Sequence, residues 1–205
     1  GSWQSAYATA GSGQASITDF EIDDQNNILM TGFHSGSVTF GTQLTNAGQS
    51  DALIASMSPS GAWNWAKSIG GSSYDVGSGV AYDSDTGYTM MGLSSQSSFS
   101  FGGKSFTPRG LNDSLVVSFD SNGGSVSLFD AGSADDDGVA GISLMPNGAL
   151  VVVGNYNGTI DFGTSSAPTQ TTSVLMPYVW LTETIAVLDA DGDGVADEDD
   201  NCPNI

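Results

Sequence analysis

The sequence predicts an all-β fold: a repeat protein of about three four-stranded, propeller-like blades with a period of about 61 residues, then a C-terminal EF-hand-like calcium loop. Three observations predict it. Phe40-Gly41, Phe101-Gly102 and Phe162-Gly163 recur at intervals of 61 and 61; Gly32, Gly92 and Gly154 recur at 60 and 62, and Gly11, Gly71 and Gly132 at 60 and 61. Independent landmarks that keep one period mark a repeat architecture. Gly, Ser, Thr, Asn and Asp are abundant while Glu, Lys and Arg are scarce, which suits strands and turns and starves helices. Near the C-terminus, carboxylates stand at positions 1, 3, 5, 9 and 12 of a glycine-containing run.

Each unit divides into short strands. The first carries apolar residues at alternate positions, Phe20/Ile22, then Val80/Tyr82, then Ile142/Leu144, the period-2 signature of a half-buried strand. Polar turns come next, at 23–26, 83–87 and 146–148, with residues that tolerate turn geometry. Second strands are expected at 28–31, 88–91 and 150–153, each ending on the recurrent Gly. A short segment alternates again as Val38/Phe40, Phe99/Phe101 and Ile160/Phe162. Longer strands open at Asp51 and Asp113, with 173–179 in the third copy. Turns at 59–61 and 122–124 lead to a last strand, which holds Trp63 and Trp65 in the first copy. Four strands per unit, joined by hairpins, describe a propeller blade better than a βαβ unit.

These landmarks resemble the bacterial β-propeller repeat of large secreted proteins. The match lies in residues 66–75, in the strand-turn-strand ending on Gly92, in Phe101-Gly102, in Asn112-Asp113 and in 119–123. It covers roughly residues 3–188 and implies a fold, with no shared activity. The third copy departs, with Ser173 where the others have Asp and Pro177 within its long strand; a strand proline favours an edge or a bulge. The expected domains are 1–188, the repeat body, and 189–205, a calcium-binding segment. Closed propellers usually carry about four to eight blades, so three imply association, by closing a ring with a second copy or by stacking into a fibre. Residues 3–10 align with 63–70, so the chain opens on a last strand whose own blade is missing; that strand either completes the third blade, in place of 185–188, or belongs to a longer array.

Lys67, Lys104 and Arg109 are the only basic side chains against 23 acidic ones, a net charge of −20. That excludes nucleic acid and anionic membrane as natural partners, since both need Lys and Arg to neutralise phosphate. It fits a surface that repels its copies or collects divalent cations. No stretch reaches the apolar length of a membrane span. The chain opens on Gly1-Ser2 without an initiator Met, which reads as a processed start or a cloning scar. Cys202 is the only cysteine, which removes internal disulfides and cysteine-rich zinc sites.

The strongest chemical motif spans 189–200. Asp189, Asp191, Asp193, Asp197 and Asp200 stand at loop positions 1, 3, 5, 9 and 12, Gly194 at the sharp turn, and Val195 offers its backbone carbonyl at position 7. This is the ligand spacing of an EF-hand-like calcium loop. Calcium takes six to eight hard oxygens in flexible geometry, and converging carboxylates without a cation repel, so binding and local folding are coupled. With Asn201-Cys202-Pro203 the run resembles a thrombospondin type 3 repeat. The resemblance implies calcium binding, and a cysteine that pairs with one in an adjacent repeat.

Other signals are weak. His34 is the only histidine, so any nucleophilic triad would need it, and it reads as a surface-loop residue where the other copies place Ser94 and Tyr156; zinc would need more His or Cys than the chain contains. Asp19 with Glu21, Asp83 with Asp85, and Asp135-Asp136-Asp137 could serve a glycosidase or hold further calcium, but each sits at a turn or strand end, where Asp commonly bonds the backbone. Trp63, Trp65 and Trp180 read as blade core rather than a carbohydrate-stacking platform. Asn112 and Asn157 match the N-glycosylation pattern only weakly, given the bacterial character of the repeats.

The expected function is therefore non-enzymatic structural or adhesive work at the cell surface or outside the cell, with calcium as the cofactor, self-association, and a protein or glycan surface as partner. The competing expectation is a carbohydrate-binding or hydrolysing propeller with an exposed Trp or Tyr and two facing carboxylates in a concave pocket. Asp193→Ala should abolish calcium binding at the C-terminal loop in titration calorimetry; unchanged affinity would refute the ligand assignment.

Overall fold

The structure, a computed structural model, describes residues 6–162 and 170–181, with side chains from 170 onward described only at 176–179. Asp189, Asp191, Asp193, Val195, Asp197, Asp200 and Cys202 lie outside the described residues, as do Trp3 and the side chain of Trp180. Among the described residues the chain is all-β, with several antiparallel sheets and no helix.

The strands, in chain order, are β1 (Ala10–Gly11), β2 (Gln14–Ile22), β3 (Ile28–Ser35), β4 (Ser37–Phe40), β5 (Thr42–Thr45), β6 (Asp51–Met57), β7 (Trp63–Ile69) and β8 (Asp75–Asp83). They continue as β9 (Tyr88–Ser95), β10 (Phe99–Phe101), β11 (Lys104–Phe106), β12 (Asp113–Phe119), β13 (Ser125–Ala131), β14 (Gly138–Leu144), β15 (Leu150–Ile160) and β16 (Gln170–Leu181). The first sheet runs β2-β3-β6-β7, and the second repeats that order as β8-β9-β12-β13. The third is β14-β15-β16, so the expected fourth strand of this copy is not among the described residues. Two hairpins, β4–β5 (joined by β1) and β10–β11, stand apart from the sheets.

The sheets stack in sequence. β8 lies against β2 and β3 on one side and against β14 on the other. The third sheet makes no comparable contact with the first, and the described sheets do not close into a ring.

This stacking explains the long strands. Every residue of β6 and of β12 is buried, because both faces of each strand are covered. Along β6, Ala52 and Ile54 join a cluster shared with Leu115, Val117 and Phe119 of the second sheet. Leu53 and Ala55 face the other way, into Val38, Phe40 and Leu44 of the β4–β5 hairpin. On β12, Val116 points towards Leu150, Val152 and Tyr178 of the third sheet. A strand buried on both faces reads as a continuous apolar run, although its side chains still alternate between two cores.

The Phe-Gly landmark has a physical reason. Phe40, Phe101 and Phe162 are each less than 10 % exposed. Phe40 meets Trp63 edge-on at 5.0 Å, Phe101 meets Phe119 at 5.3 Å, and Phe162 meets Tyr178 at 5.7 Å. Such edge-to-face pairs add to simple area burial. The glycines after the first two, Gly41 and Gly102, turn the hairpins at φ +72° and +56°, a left-handed backbone that costs glycine little.

Gly32, Gly92 and Gly154 were expected to end their strands, and they do not: β3, β9 and β15 run on to Ser35, Ser95 and Ile160. Each glycine faces a register shift in the neighbouring strand, between Ile17 and Asp19, between Gly77 and Gly79, and between Val139 and Gly141. A bulge brings backbone close. A Cβ at Gly32 would overlap the Ser16 carbonyl oxygen, and one at Gly92 would meet Ile142 Cγ2 at 2.7 Å. The repeat keeps space here, not a strand end. Pro177 lies in β16 opposite Asn155, beside a further register shift at Tyr156/Gly158, where a missing N–H is tolerated.

Phe119 carries much of the junction between the first two sheets, stacked on Trp65 at 5.8 Å and fully buried. Phe119→Ala should destabilise the fold by about 3–5 kcal/mol, read as a lower urea midpoint at unchanged slope. A shift within experimental error would mean that the two sheets are not packed in this way.

Candidate functional site

Where one sheet hands over to the next, the same arrangement of aspartates occurs twice. Asp51 opens β6 and Asp75 opens β8; 62 residues on, Asp113 opens β12 and Asp137 precedes β14. All four are buried, at 3 % exposure or less. Each grips a backbone N–H four residues earlier: Ala47 N donates to Asp51 (3.0 Å), Gly71 N to Asp75 (2.8 Å), Arg109 N to Asp113 (2.8 Å) and Ser133 N to Asp137 (2.6 Å). The junction is completed by backbone bonds from Asp75 N to the Ser50 carbonyl and from Asp137 N to the Asn112 carbonyl. A Cβ at Gly70 would overlap the Asp75 carboxylate, and one at Gly132 that of Asp113, so these glycines leave room for the buried acids.

Burial makes Asp75, Asp113 and Asp137 reluctant to ionise. Burial pushes Asp113 up to about 6, against the opposing pull of the Arg109 backbone N–H and guanidinium, with Asp137 and Asp130 adding repulsion. Burial also raises Asp75, where the Ser95 hydroxyl and Gly71 amide offset part of the effect, and it raises Asp137, where Ser133 does the same. The two junctions differ in the partners of their first aspartate. Asp51 accepts a second bond, from the Ser68 hydroxyl, whereas Asp113 keeps one buried oxygen, Oδ1, without a partner.

The expectation of a surface-loop His34 is overturned. His34 lies inside β3, paired with Asp51 across the sheet, and is fully buried. Its Nε2 is 2.8 Å from Ser68 Oγ, which is itself 3.0 Å from Asp51 Oδ2. The single hydroxyl proton of Ser68 goes to the acceptor-only carboxylate, so His34 donates from Nε2 and leaves Nδ1 bare. Burial lowers the His34 pKa, with Asp51 opposing. In this order the Ser68 hydroxyl proton is held by Asp51 and not by the imidazole. The trio is a satisfied core network, except for Nδ1.

The other candidates resolve as turn or packing chemistry. Asp83 Oδ1 accepts from Asp85 N, and its other oxygen from the Thr86 hydroxyl. Asp19 accepts from Val80 N of the next sheet, while Glu21 reaches only the neighbouring Ile22 N. Trp65 donates Nε1 to the Ser121 carbonyl across the first junction. Among the described residues no three His, Cys, Asp or Glu side chains converge as a metal set.

Beside the second junction lies an open groove of about 450 Å³, between the second and third sheets. Its lining includes Tyr74, Gln96, Asn112, Asp136, Asp137 and Asn155. Asn112 Nδ2 donates to Asp136 Oδ1 at 2.6 Å, and Gln96 Oε1 accepts from the Ser73 hydroxyl at 3.0 Å. Sequence spacing does not reveal this grouping, because its members come from five separate segments. The aspartate pairs were detectable, since both recur at 62 residues within motifs that otherwise read as strand starts. No protein-family model matches the chain, and no curated protein matches it.

The raised carboxylates set a pH dependence. A folded-state pKa above the unfolded value means that the native state holds the proton more tightly, so this contribution to stability is full below about pH 4 and is lost as pH rises through about 6. For Asp113 the difference is on the order of 3 kcal/mol. Asp113→Asn keeps an acceptor for Arg109 N and cannot ionise; it should flatten the slope of urea midpoint against pH between about 4 and 6.5. A wild-type slope in this variant would show that Asp113 is ordinary.

Proposed function

We propose that this chain is the rigid repeat body of an extracellular or cell-surface protein that does structural or adhesive work, binds calcium at its C-terminal loop and has no catalytic activity. The observation that carries the reading is the recurrence of one junction. The same two aspartates, the same gripped amides and the same glycine clearance join consecutive sheets at a 62-residue interval. A module whose joint repeats can be extended by stacking, with stability summed over units and interfaces. Reading the sheets as propeller-like blades agrees with the repeated strand order and with the first strands lying side by side.

Composition and motif support the setting. A net charge of −20 suits a surface exposed to divalent cations. The run through Asp189, Asp191, Asp193, Val195, Asp197 and Asp200 supplies the ligand spacing, and its resemblance to a thrombospondin type 3 repeat supports a calcium-stiffened connection to a neighbouring module. Self-association is favoured by apolar side chains left exposed at both ends of the stack. Phe20 and Ile22 stand out on β2, and Val153, Met176 and Val179 on the third sheet. Repeat ends that lack a polar cap are driven to bury such faces.

Glycan hydrolysis is disfavoured by the state of the groove carboxylates. Asp137 is 2 % exposed and both its oxygens accept backbone amides, from Ser133 and Asn157. Only Asp136 offers a free carboxylate oxygen, whereas glycosidases usually need two acids on opposite sides of the bond.

Size-exclusion chromatography with light scattering, in millimolar calcium and again in chelator, tests the proposal. A dimer or larger assembly that requires calcium is the expected result. A monodisperse monomer in both buffers would defeat the association and with it the structural role.

A further inference from the structure

We propose that the groove between the second and third sheets binds a neutral oligosaccharide. Its volume of about 450 Å³ falls within the range of small-ligand clefts, about 300–1,000 Å³. The proposal is independent of the calcium loop and of assembly.

The lining selects the ligand class. None of Lys67, Lys104 or Arg109 lines the groove, and two aspartates do. Phosphorylated, sulfated and uronic-acid ligands would therefore meet repulsion without a compensating cation. Val76 and the ring of Tyr74 are the hydrophobic side chains of the lining, enough for one face of a ligand but too few to enclose a wholly apolar one. What remains is amide and carboxylate chemistry. Gln96 spends its oxygen on Ser73 and keeps its N–H donors; Asn112 spends a donor on Asp136 and keeps its oxygen as an acceptor. Asn155 is exposed at the rim and makes no side-chain hydrogen bond among the described residues. Planar groups that offer donors and acceptors side by side match sugar hydroxyls, each of which both gives and takes a hydrogen bond. Tyr74 is 49 % exposed beside them, a rigid ring with an apolar face for the C–H face of a sugar and a hydroxyl for its edge.

The repeat itself points to the same positions. The buried aspartates are kept at both junctions, so the scaffold has not changed. The groove positions have: Asn112 stands where the first junction has Ser50, and Asp136 where it has Tyr74. Side chains that vary on an unvarying joint are where a binding site can be grafted without cost to the fold. The Asn112–Asp136 hydrogen bond holds both side chains in place before a ligand arrives, which lowers the ordering cost of binding.

The test is a panel of neutral gluco-, manno- and galacto-oligosaccharides beside acidic ones, followed by titration calorimetry of the best binder. The expected result is binding within the neutral set, weakened about tenfold or more by Tyr74→Ala and by Asn112→Ala. Tyr74 is exposed and Asn112 half-buried, and circular dichroism checks that the variants fold. Tyr7→Ala, an equally exposed tyrosine outside the groove, should leave the affinity unchanged. Silence across the neutral set, binding confined to acidic glycans, or affinity that survives both groove substitutions would each overturn the proposal.

Discussion

Four carboxylates taken out of water hold this protein's sheets in sequence. A buried carboxylate is costly unless its lone pairs are used, and here each reaches back to a backbone amide four residues earlier. Those amides sit in the loops that lead into the next strand. One interaction therefore solves two problems: it satisfies loop donors that no strand can satisfy, and it fixes where the next strand begins. The opening of β6, β8, β12 and β14 at or beside an aspartate is a consequence of this constraint.

Given that spacing, the packing is largely determined. Sheets set side by side cover the long strands on both faces, so β6 and β12 are apolar wherever they are not Ser or Asp. Gaps left by sheet twist are filled by the aromatic hairpin residues Phe40, Phe101 and Phe106. Cross-sheet hydrogen bonds lock the register. Thr18 donates to the Gly77 carbonyl and Tyr82 to Asp24 at the first junction; Tyr178 donates to Ser114 at the second.

The division of labour between joint and groove has a chemical logic. At a joint the carboxylates are desolvated and tied to backbone amides that hold the strands, which leaves little of them to face a ligand. Asp137 shows this, as it borders the groove yet has both oxygens engaged. Asp136, one residue earlier and exposed, is free to face a ligand. Adjacent aspartates thus differ in role because one points into the joint and the other out of it.

Much of the fold was legible in the sequence. Alternating apolar residues, turn chemistry at Asp23 and Asp120, and the 61-residue landmarks are local or periodic signals, and short-range backbone geometry enforces them. The turns behave as read, with Asp23 Oδ1 accepting from Gln25 N and Asn27 N, and Asp120 Oδ1 from Asn122 N and Gly124 N. The aspartate spacing at 189–200 is legible for the same reason, since its members stand close together in sequence. Three features needed the tertiary structure. The recurrent glycines proved to be clearance, for the bulged partner strand at Gly32 and Gly154 and for the side chains of the third sheet at Gly92; His34 proved to be core, and the groove proved to gather Tyr74, Gln96, Asn112, Asp136 and Asn155. Each depends on which segments of chain pass close to one another. Local sequence determines strands and turns, whereas burial and proximity are decided only when the sheets stack.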